Sequence, residues 1–267
     1  MIDHPKFRQL KDRIRELDSL LVAYSGGTDS TFLLAVSKEV LGDRMMAVTI
    51  KTPYIADWEI DDARNLCSDL DVPHEILEFP MPDSIKNNPK ERCYLCKYQL
   101  FSNLRNMASQ YGYDHVADGT NADDTGSHRL GLKDLRELDI VSPLKDAGFT
   151  KDLIRTFSKE MVLPTWDKPA YACLLTRIPY GTEITQEELS RVEASETFLI
   201  GLGFRAVRVR SHGPVARIEI PREQIAELVK QNQNHHIEKT IKSFGYQFVT
   251  IDLEGYRTGS FDGRSNN

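Results

Sequence analysis

Residues 19–41 read SLLVAYSGGTDSTFLLAVSKEVL. Residues 19–24 form a short apolar run, a Gly-rich turn follows, and from Asp29 onward Phe32, Leu33, Val36 and Val40 recur at helical spacing. The order is strand, loop, helix. The alternation continues outward: 45–50 reads as a strand, 57–70 as a helix, 74–79 as a strand, 98–111 as a helix and 115–117 as a strand. Strands that alternate with helices predict an α/β fold built on a doubly wound parallel sheet, with ligands at the carboxyl ends of its strands.

Residues 151–161 read as the last helix of this unit. The stretch LPTWDKPAYACLLTRIPYG (163–181) then carries Pro164, Pro169, Pro179 and Gly181, which interrupt any regular element. A domain boundary is expected there, dividing the chain into 1–165 and 166–267. Beyond it, Thr185 with Glu188 three residues on caps a helix over 185–201. Two alternating runs (204–211 and 215–220), a helix at 223–244 and a strand at 247–253 complete a smaller α+β domain.

A chain of 267 residues, 40% hydrophobic and 28% charged, is long enough for two domains with cores of their own and too apolar to be disordered. Its net charge of −6 disfavours a surface that grips long nucleic acid by general phosphate attraction, so a small-molecule ligand is expected. Residues 1–12 are polar and charged, unlike a secretory signal, and nowhere do 18 apolar residues run together. A cytoplasmic protein with no membrane partner is expected. Four cysteines are too sparse for a disulfide scaffold; reduced thiols are more often ligands or reagents.

In Ser25-Gly26-Gly27-Thr28-Asp29-Ser30, the glycines let backbone N–H groups turn toward an anion, and the following helix adds the partial positive charge of its N-terminus. The loop matches neither GxxxxGK(S/T) nor GxGxxG, so the common nucleotide loops do not apply; the bland alternative is a turn that only caps a helix. SGGxDS after an apolar strand resembles the pyrophosphate loop of the N-type ATP pyrophosphatases. That resemblance implies cleavage of ATP between its α and β phosphates to leave an adenylate, with Ser25, Gly26, Gly27 and Ser30 on the pyrophosphate. Asp29 would hold Mg2+, because a carboxylate beside polyphosphate needs a cation between them. Asp118 to Asp124 (DGTNADD), with Gly119, follows another strand end and resembles the second ATP-side loop of the same superfamily; a simple turn is the alternative reading of Gly119 alone.

Cys93 and Cys96 form a CxxC in ERCYLCK, and Cys173 lies far along the chain in the irregular segment. Three thiols leave one coordination position open. A [4Fe-4S] cluster normally takes four thiolates, so three would leave one iron free for a sulfur ligand. Zinc would need a fourth ligand, which only a distant His115 or His128 offers. A persulfide or sacrificial thiol, or no catalytic role, also fits a lone CxxC. A reactive sulfur beside an adenylating loop would convert an adenylate into a thioacid. Cys67 differs: it shares a helical stripe with Ile60, Ala63 and Leu70 and reads as a core residue.

In 204–211, Val207 and Val209 point one way and Arg208 and Arg210 the other; in the next strand Arg217 and Glu219 fall on the polar side. The arginines would clamp a phosphate, or form a solvated face salt-bridged to Glu219. Glu196 shares a stripe with Leu189, Val192 and Leu199, so it needs a cation, most simply an arginine of the next strand.

RCYLCK, GTNADD, HRLGLK, SPL, WDKPAYACLLTRIPYG, LGFRAVRVRSHGPVARIE and GYQFVTIDLEGYRTG together resemble the LarE family, sulfur transferases that build the nickel-pincer nucleotide cofactor; the similarity covers about 20–259. It implies that ATP adenylates a carboxylate of a pyridinium biscarboxylic acid mononucleotide and that sulfur replaces AMP, twice per cofactor. Members either sacrifice a cysteine, which becomes dehydroalanine, or hold a [4Fe-4S] cluster on three cysteines. Cys93, Cys96 and Cys173 point to the second type, with hydrosulfide as the donated sulfur; sacrifice of Cys173 is the fallback. Arg208, Arg210 and Arg257 match positions that bind the substrate phosphate, with Glu196 and Glu219 nearby. The resemblance also implies a homo-oligomer, a hexamer in the family. A tRNA thiolase and an ammonia-using ligase are the rival enzymes, and a nucleotide-sensing module the non-enzymatic rival.

Overall fold

A computed structural model of the protein describes residues 4–125 and 137–257. HRLGLK with His128, and the last two residues of GYRTG, lie outside the described residues. The chain divides into two compact units. One comprises Met1–Thr52, Asp57–Pro82 and Glu91–Ala170, the other Pro53–Ala56, Asp83–Lys90 and Tyr171–Asn267.

The first unit is built on five parallel strands in the order β3-β2-β1-β4-β5, formed by β1 (Leu20–Ala23), β2 (Met45–Lys51), β3 (His74–Glu78), β4 (His115–Ala117) and β5 (Ile140–Val141). Leu20, Leu21 and Val22 are fully buried in succession, the signature of a strand covered on both faces. The chain runs outward from β1 to β3 and then returns to add β4 on the other side of β1. Strand order therefore reverses between β1 and β4, the point at which open parallel sheets place their ligands.

The helix Thr28–Leu41 follows β1 and packs Phe32 with Phe7, Phe149 and Phe157. Phe7 comes from a helix, Pro5–Arg15, that the polar N-terminus does not announce. His4 caps it by accepting the Lys6 N–H, Pro5 supplies a preset φ at its first position, and Phe7, Leu10 and Ile14 make its single buried stripe. The helix Arg92–Gln110 begins ahead of the expected 98–111, so both cysteines of the CxxC are helical.

The second unit holds a three-stranded sheet, β6 (Arg208–His212), β7 (Val215–Glu219) and β8 (Phe248–Ile251). The β6–β7 pair is antiparallel and β8 joins β7 in parallel. Residues 204–207 precede the first strand, and the helix expected over 223–244 is two, Ile225–His235 and Ile237–Ser243. They break at His236, which adopts the left-handed conformation (φ 49°). The buried Asn88 ties the short 83–90 segment into this unit, its Nδ2 donating to the carbonyls of Ile178 (2.8 Å) and Pro179 (3.1 Å). Among the described residues, no helix is long and apolar enough to cross a membrane.

Arg177 is the bulkiest fully buried side chain among the described residues. Its Nε and Nη2 donate to Glu196 Oε1 and Oε2, each at 2.8 Å, with the two side chains 1% and 4% exposed. Removing one partner of such a pair strands a charge in the interior. We expect Glu196→Ala to lower stability by about 3–5 kcal/mol, read from urea unfolding. An unchanged midpoint would mean that the pair carries no structural weight.

Candidate active site

The loop after β1 is shaped by three contacts. Gly26 sits at φ 67°, and a Cβ there would lie 3.3 Å from that of Ala63. Ser25 Oγ and Ser30 Oγ are 3.1 Å apart, and Ser30 Oγ donates to the Gly27 carbonyl (3.2 Å). Gly27 caps the helix Thr28–Leu41 and has no side chain to bond its first N–H groups, the arrangement that suits an anion.

The second loop, 118–124, closes on the first. Gly119 packs so tightly that a Cβ would stand 3.0 Å from the Ser30 backbone nitrogen. Asp118, buried, accepts from the hydroxyls of Thr120 and of Ser142 (2.7 Å). Burial pushes its carboxyl above the usual carboxylate range, and those donors pull it part of the way back. Asn121 Oδ1 accepts the Asp123 N–H (2.8 Å), and Asn121 Nδ2 donates to Asp29 Oδ2 (3.1 Å).

Asp29 is where the two loops meet. Its Oδ2 also accepts Lys151 Nζ at 2.8 Å, while its Oδ1 is buried with no hydrogen-bond partner among the described residues. A buried carboxylate oxygen without a donor suits a hard divalent cation, so Asp29 fits the Mg2+ expected of it. A strap formed by 165–168 lies against the same loop. Thr28 Oγ1 donates to the Thr165 carbonyl (2.8 Å), and Lys168 Nζ donates to the Gly26 carbonyl (3.1 Å) and to Asp62 (2.9 Å). Arg155 fastens the strap through the carbonyls of Trp166 (2.8 Å) and Lys168 (2.9 Å).

None of the four cysteines is joined in a disulfide. Cys93 and Cys96 stand one turn apart at the start of the helix Arg92–Gln110, Cys93 exposed and Cys96 half-buried. Cys173 belongs to the second unit. It is half-buried and precedes the 3-10 turn Leu174–Arg177, its carbonyl accepting from Thr176 Oγ1 (3.0 Å) and Arg177 Nη1 (3.2 Å). Among the described residues no three His, Cys, Asp or Glu side chains are gathered to hold a metal ion. Cys67 lies in the core, where burial pushes its thiol up to about 12.

In the second unit, Arg208 and Arg210 are both buried, so the face expected to be polar lies inside the unit. Arg210 donates to Glu219 Oε2 through Nε (3.0 Å) and Nη2 (2.9 Å) and reaches the Thr176 carbonyl (2.6 Å); Arg217 donates to Glu219 Oε1 (2.9 Å). Arg208 is flanked by the rings of Tyr171 (5.4 Å) and Tyr256 (5.2 Å), and burial, with the Arg177 cation next, pushes its pKa down. Arg257 is exposed and pairs with Glu254. The cation that grips Glu196 at both oxygens is Arg177, from the irregular segment, rather than an arginine of the next strand; Glu196 Oε1 also accepts the Val209 N–H (2.8 Å).

Sequence reasoning missed Lys151, Lys168 and Arg177. Lys151 does leave a trace: it is a cation at the first position of a helix, against the macrodipole.

No protein-family model matches the chain. An uncharacterized protein of Synechocystis sp. is 40% identical over 260 residues, 96% of this chain and 97% of its own. The pyridinium-3,5-bisthiocarboxylic acid mononucleotide synthase of Lactiplantibacillus plantarum is 36% identical over 249 residues, 92% of this chain and 90% of its own. One subunit of the glutamine-hydrolyzing GMP synthase of Thermoplasma volcanium is 28% identical over 208 residues, 70% of this chain and 65% of its own. Identity of 36% sustained over nine-tenths of both chains, on a parallel α/β sheet of the pyrophosphate-loop type, makes this chain an enzyme of the LarE family of ATP-dependent sulfurtransferases.

Proposed function

We propose that the protein uses ATP to adenylate a carboxylate of a pyridinium biscarboxylic acid mononucleotide and then exchanges AMP for sulfur, in the making of a nickel-pincer nucleotide. The observation that carries this reading is the loop with its unsatisfied Asp29 oxygen, in a chain related along nine-tenths of its length to a synthase of that nucleotide class. The substrate carboxylate attacks the α phosphorus of ATP; a carboxylate–phosphorus bond forms, the α–β bridge breaks and pyrophosphate leaves. Backbone N–H groups of Gly26, Gly27 and the first helical turn, with Ser25 and Ser30, stabilise the charge that develops on the leaving group. Asp29 would hold Mg2+ there through Oδ1. Hydrosulfide then adds to the acyl carbon and AMP departs, leaving a thiocarboxylate and one proton.

Cys93, Cys96 and Cys173 supply a donor set that suits a [4Fe-4S] cluster, three thiols outside any disulfide and outside the apolar core. Such a cluster, when bound, offers one iron without a protein ligand as the place where sulfide is activated. We assign ATP activation to residues 1–165 and substrate-phosphate binding and self-association to 166–267, with Arg208, Arg210 and Arg257 on the substrate phosphate. The assembly is a homo-oligomer, a hexamer by family resemblance, in the cytoplasm.

Two substitutions test the two halves of the reaction. Asp29→Ala is expected to reduce pyrophosphate release in the presence of the mononucleotide by at least about a hundredfold; unchanged release would remove the loop from the mechanism. Cys93→Ala in protein purified without oxygen is expected to abolish iron–sulfur absorbance and sulfur transfer while ATP still binds. Retained transfer, with mass spectrometry showing sulfur lost from Cys173, would establish the sacrificial route instead.

A further inference from the structure

We propose that Lys168 is a positioning residue of the phosphate loop: its ammonium holds the Gly26 carbonyl and so keeps the Gly27 N–H turned toward the bound anion. The inference rests on the reading of the SGGTDS loop as a phosphate loop and adds to it a side chain of the strap that acts through the loop's main chain.

A peptide flanked by two glycines is free to turn over. Rotation of the 26–27 plane reverses its carbonyl and its N–H by changing only the ψ of Gly26 and the φ of Gly27, and glycine accepts either sign of φ. Gly26 already sits at φ 67° and Gly27 at φ −82°. One orientation offers an N–H to an anion; the other offers a carbonyl oxygen, which repels it. The next peptide has no such freedom. The Gly27 carbonyl accepts both Ser30 Oγ (3.2 Å) and the Thr31 N–H (2.9 Å), so the helix itself fixes the Thr28 N–H. For the 26–27 peptide the restraint comes from far along the chain: Lys168 Nζ donates to the Gly26 carbonyl at 3.1 Å. The C=O and N–H of a trans peptide are antiparallel, so a carbonyl turned to Lys168 turns the Gly27 N–H away from the strap, beside the Thr28 N–H at the helix start.

Lys168 is itself held in place. Its side chain is 13% exposed, its Nζ also donates to Asp62 Oδ2 at 2.9 Å, and it lies 5.7 Å from the centre of the Trp58 ring. Its main chain is fastened on both sides, the N–H donating to the Thr165 carbonyl (3.1 Å) and the carbonyl accepting from Arg155 Nη2 (2.9 Å). Asp62 and Trp58 belong to the helix Asp57–Asp69, whose Ala63 backs Gly26. The ammonium therefore has a carboxylate for its charge and a carbonyl for its remaining donor, and a charged donor binds that carbonyl more strongly than a neutral one. Strap and helix together form a wall against which the glycine peptide is pinned.

The test is calorimetric binding of inorganic pyrophosphate, with Mg2+ present, to the full-length protein. Lys168→Met keeps the length of the side chain and removes the donor, and is expected to weaken binding by about tenfold. Lys168→Arg keeps a charged donor and should restore most of it. The discriminating background is Gly27→Ala. At φ −82° alanine is unstrained, and the nearest neighbour of its Cβ would be Ser25 Oγ at 3.4 Å; the overturned peptide would carry residue 27 to positive φ, which alanine resists. In that background Lys168→Met should therefore weaken binding by no more than about threefold. An equal loss in both backgrounds, or no loss in either, overturns the assignment. A crystal structure of Lys168→Met checks it independently: a reversed 26–27 peptide supports the inference, and a Gly26 carbonyl still in place overturns it. A wild-type protein that binds neither ATP nor pyrophosphate overturns the phosphate-loop reading itself, and the inference with it.

Discussion

The missing side chain at Gly119 is the constraint on which the candidate site depends. β1 and β4 are hydrogen-bonded neighbours, so the loops that leave their carboxyl ends must share one small volume. A Cβ at 119 would stand 3.0 Å from the Ser30 nitrogen and 3.2 Å from its Cα, closer than a methyl group and a rigid helix start tolerate. With hydrogen there, Asn121 comes within hydrogen-bond reach of Asp29, and the helix that begins at Lys151 is drawn in through Asp123. Asp118 fixes the same corner from below, joining the end of β4 to Ser142 just after β5.

The two units solve the problem of buried charge in opposite ways. The first encloses an aromatic and aliphatic core and keeps its carboxyls apart from one another, Asp118 buried on two hydroxyl donors and Asp29 with one oxygen that has no donor among the described residues. The second buries guanidinium groups and carboxylates together and satisfies them densely. Arg177 takes both oxygens of Glu196, and Arg210 and Arg217 divide the two oxygens of Glu219. Desolvation makes such clusters expensive, so their geometry is tightly specified and each member positions the next. Arg208 is carried within this cluster between two tyrosine rings, a setting that keeps a cation oriented without flexible neighbours.

Much of this was legible in the sequence because the signals are local. Buried parallel strands appear as uninterrupted apolar runs, and a phosphate loop must lie between a strand and a helix, so SGGTDS and its surroundings identify each other. The N-terminal helix was not legible: a stripe of only Phe7, Leu10 and Ile14 in a polar stretch acquires meaning from Phe32 and Phe157, which lie elsewhere in the chain. The break at His236 carries neither Gly nor Pro; it depends on a left-handed residue within a polar run. Segments 53–56 and 83–90 join the second unit through contacts such as Asn88 with Ile178 and Tyr54 with Leu174, which local propensity cannot reveal. The same holds for Glu196, whose cation was expected on the next strand and is supplied by Arg177 of the irregular segment. An alternating strand shows that arginines share a face, but whether that face meets water depends on what packs over it.

The cysteines show how burial, rather than residue type, distributes chemistry. Cys67 sits in the apolar core, where burial pushes its thiol up to about 12 and so disfavours the thiolate at neutral pH. A thiol held in that form is a poor nucleophile, because the thiolate is the reactive species. Cys93, Cys96 and Cys173 are each exposed or half-buried, and two of them share one turn at the start of a helix. The helical periodicity that marked Cys67 as core also separates it from these three. Among the four cysteines, Cys93, Cys96 and Cys173 are therefore the ones whose surroundings leave a thiol open to chemistry.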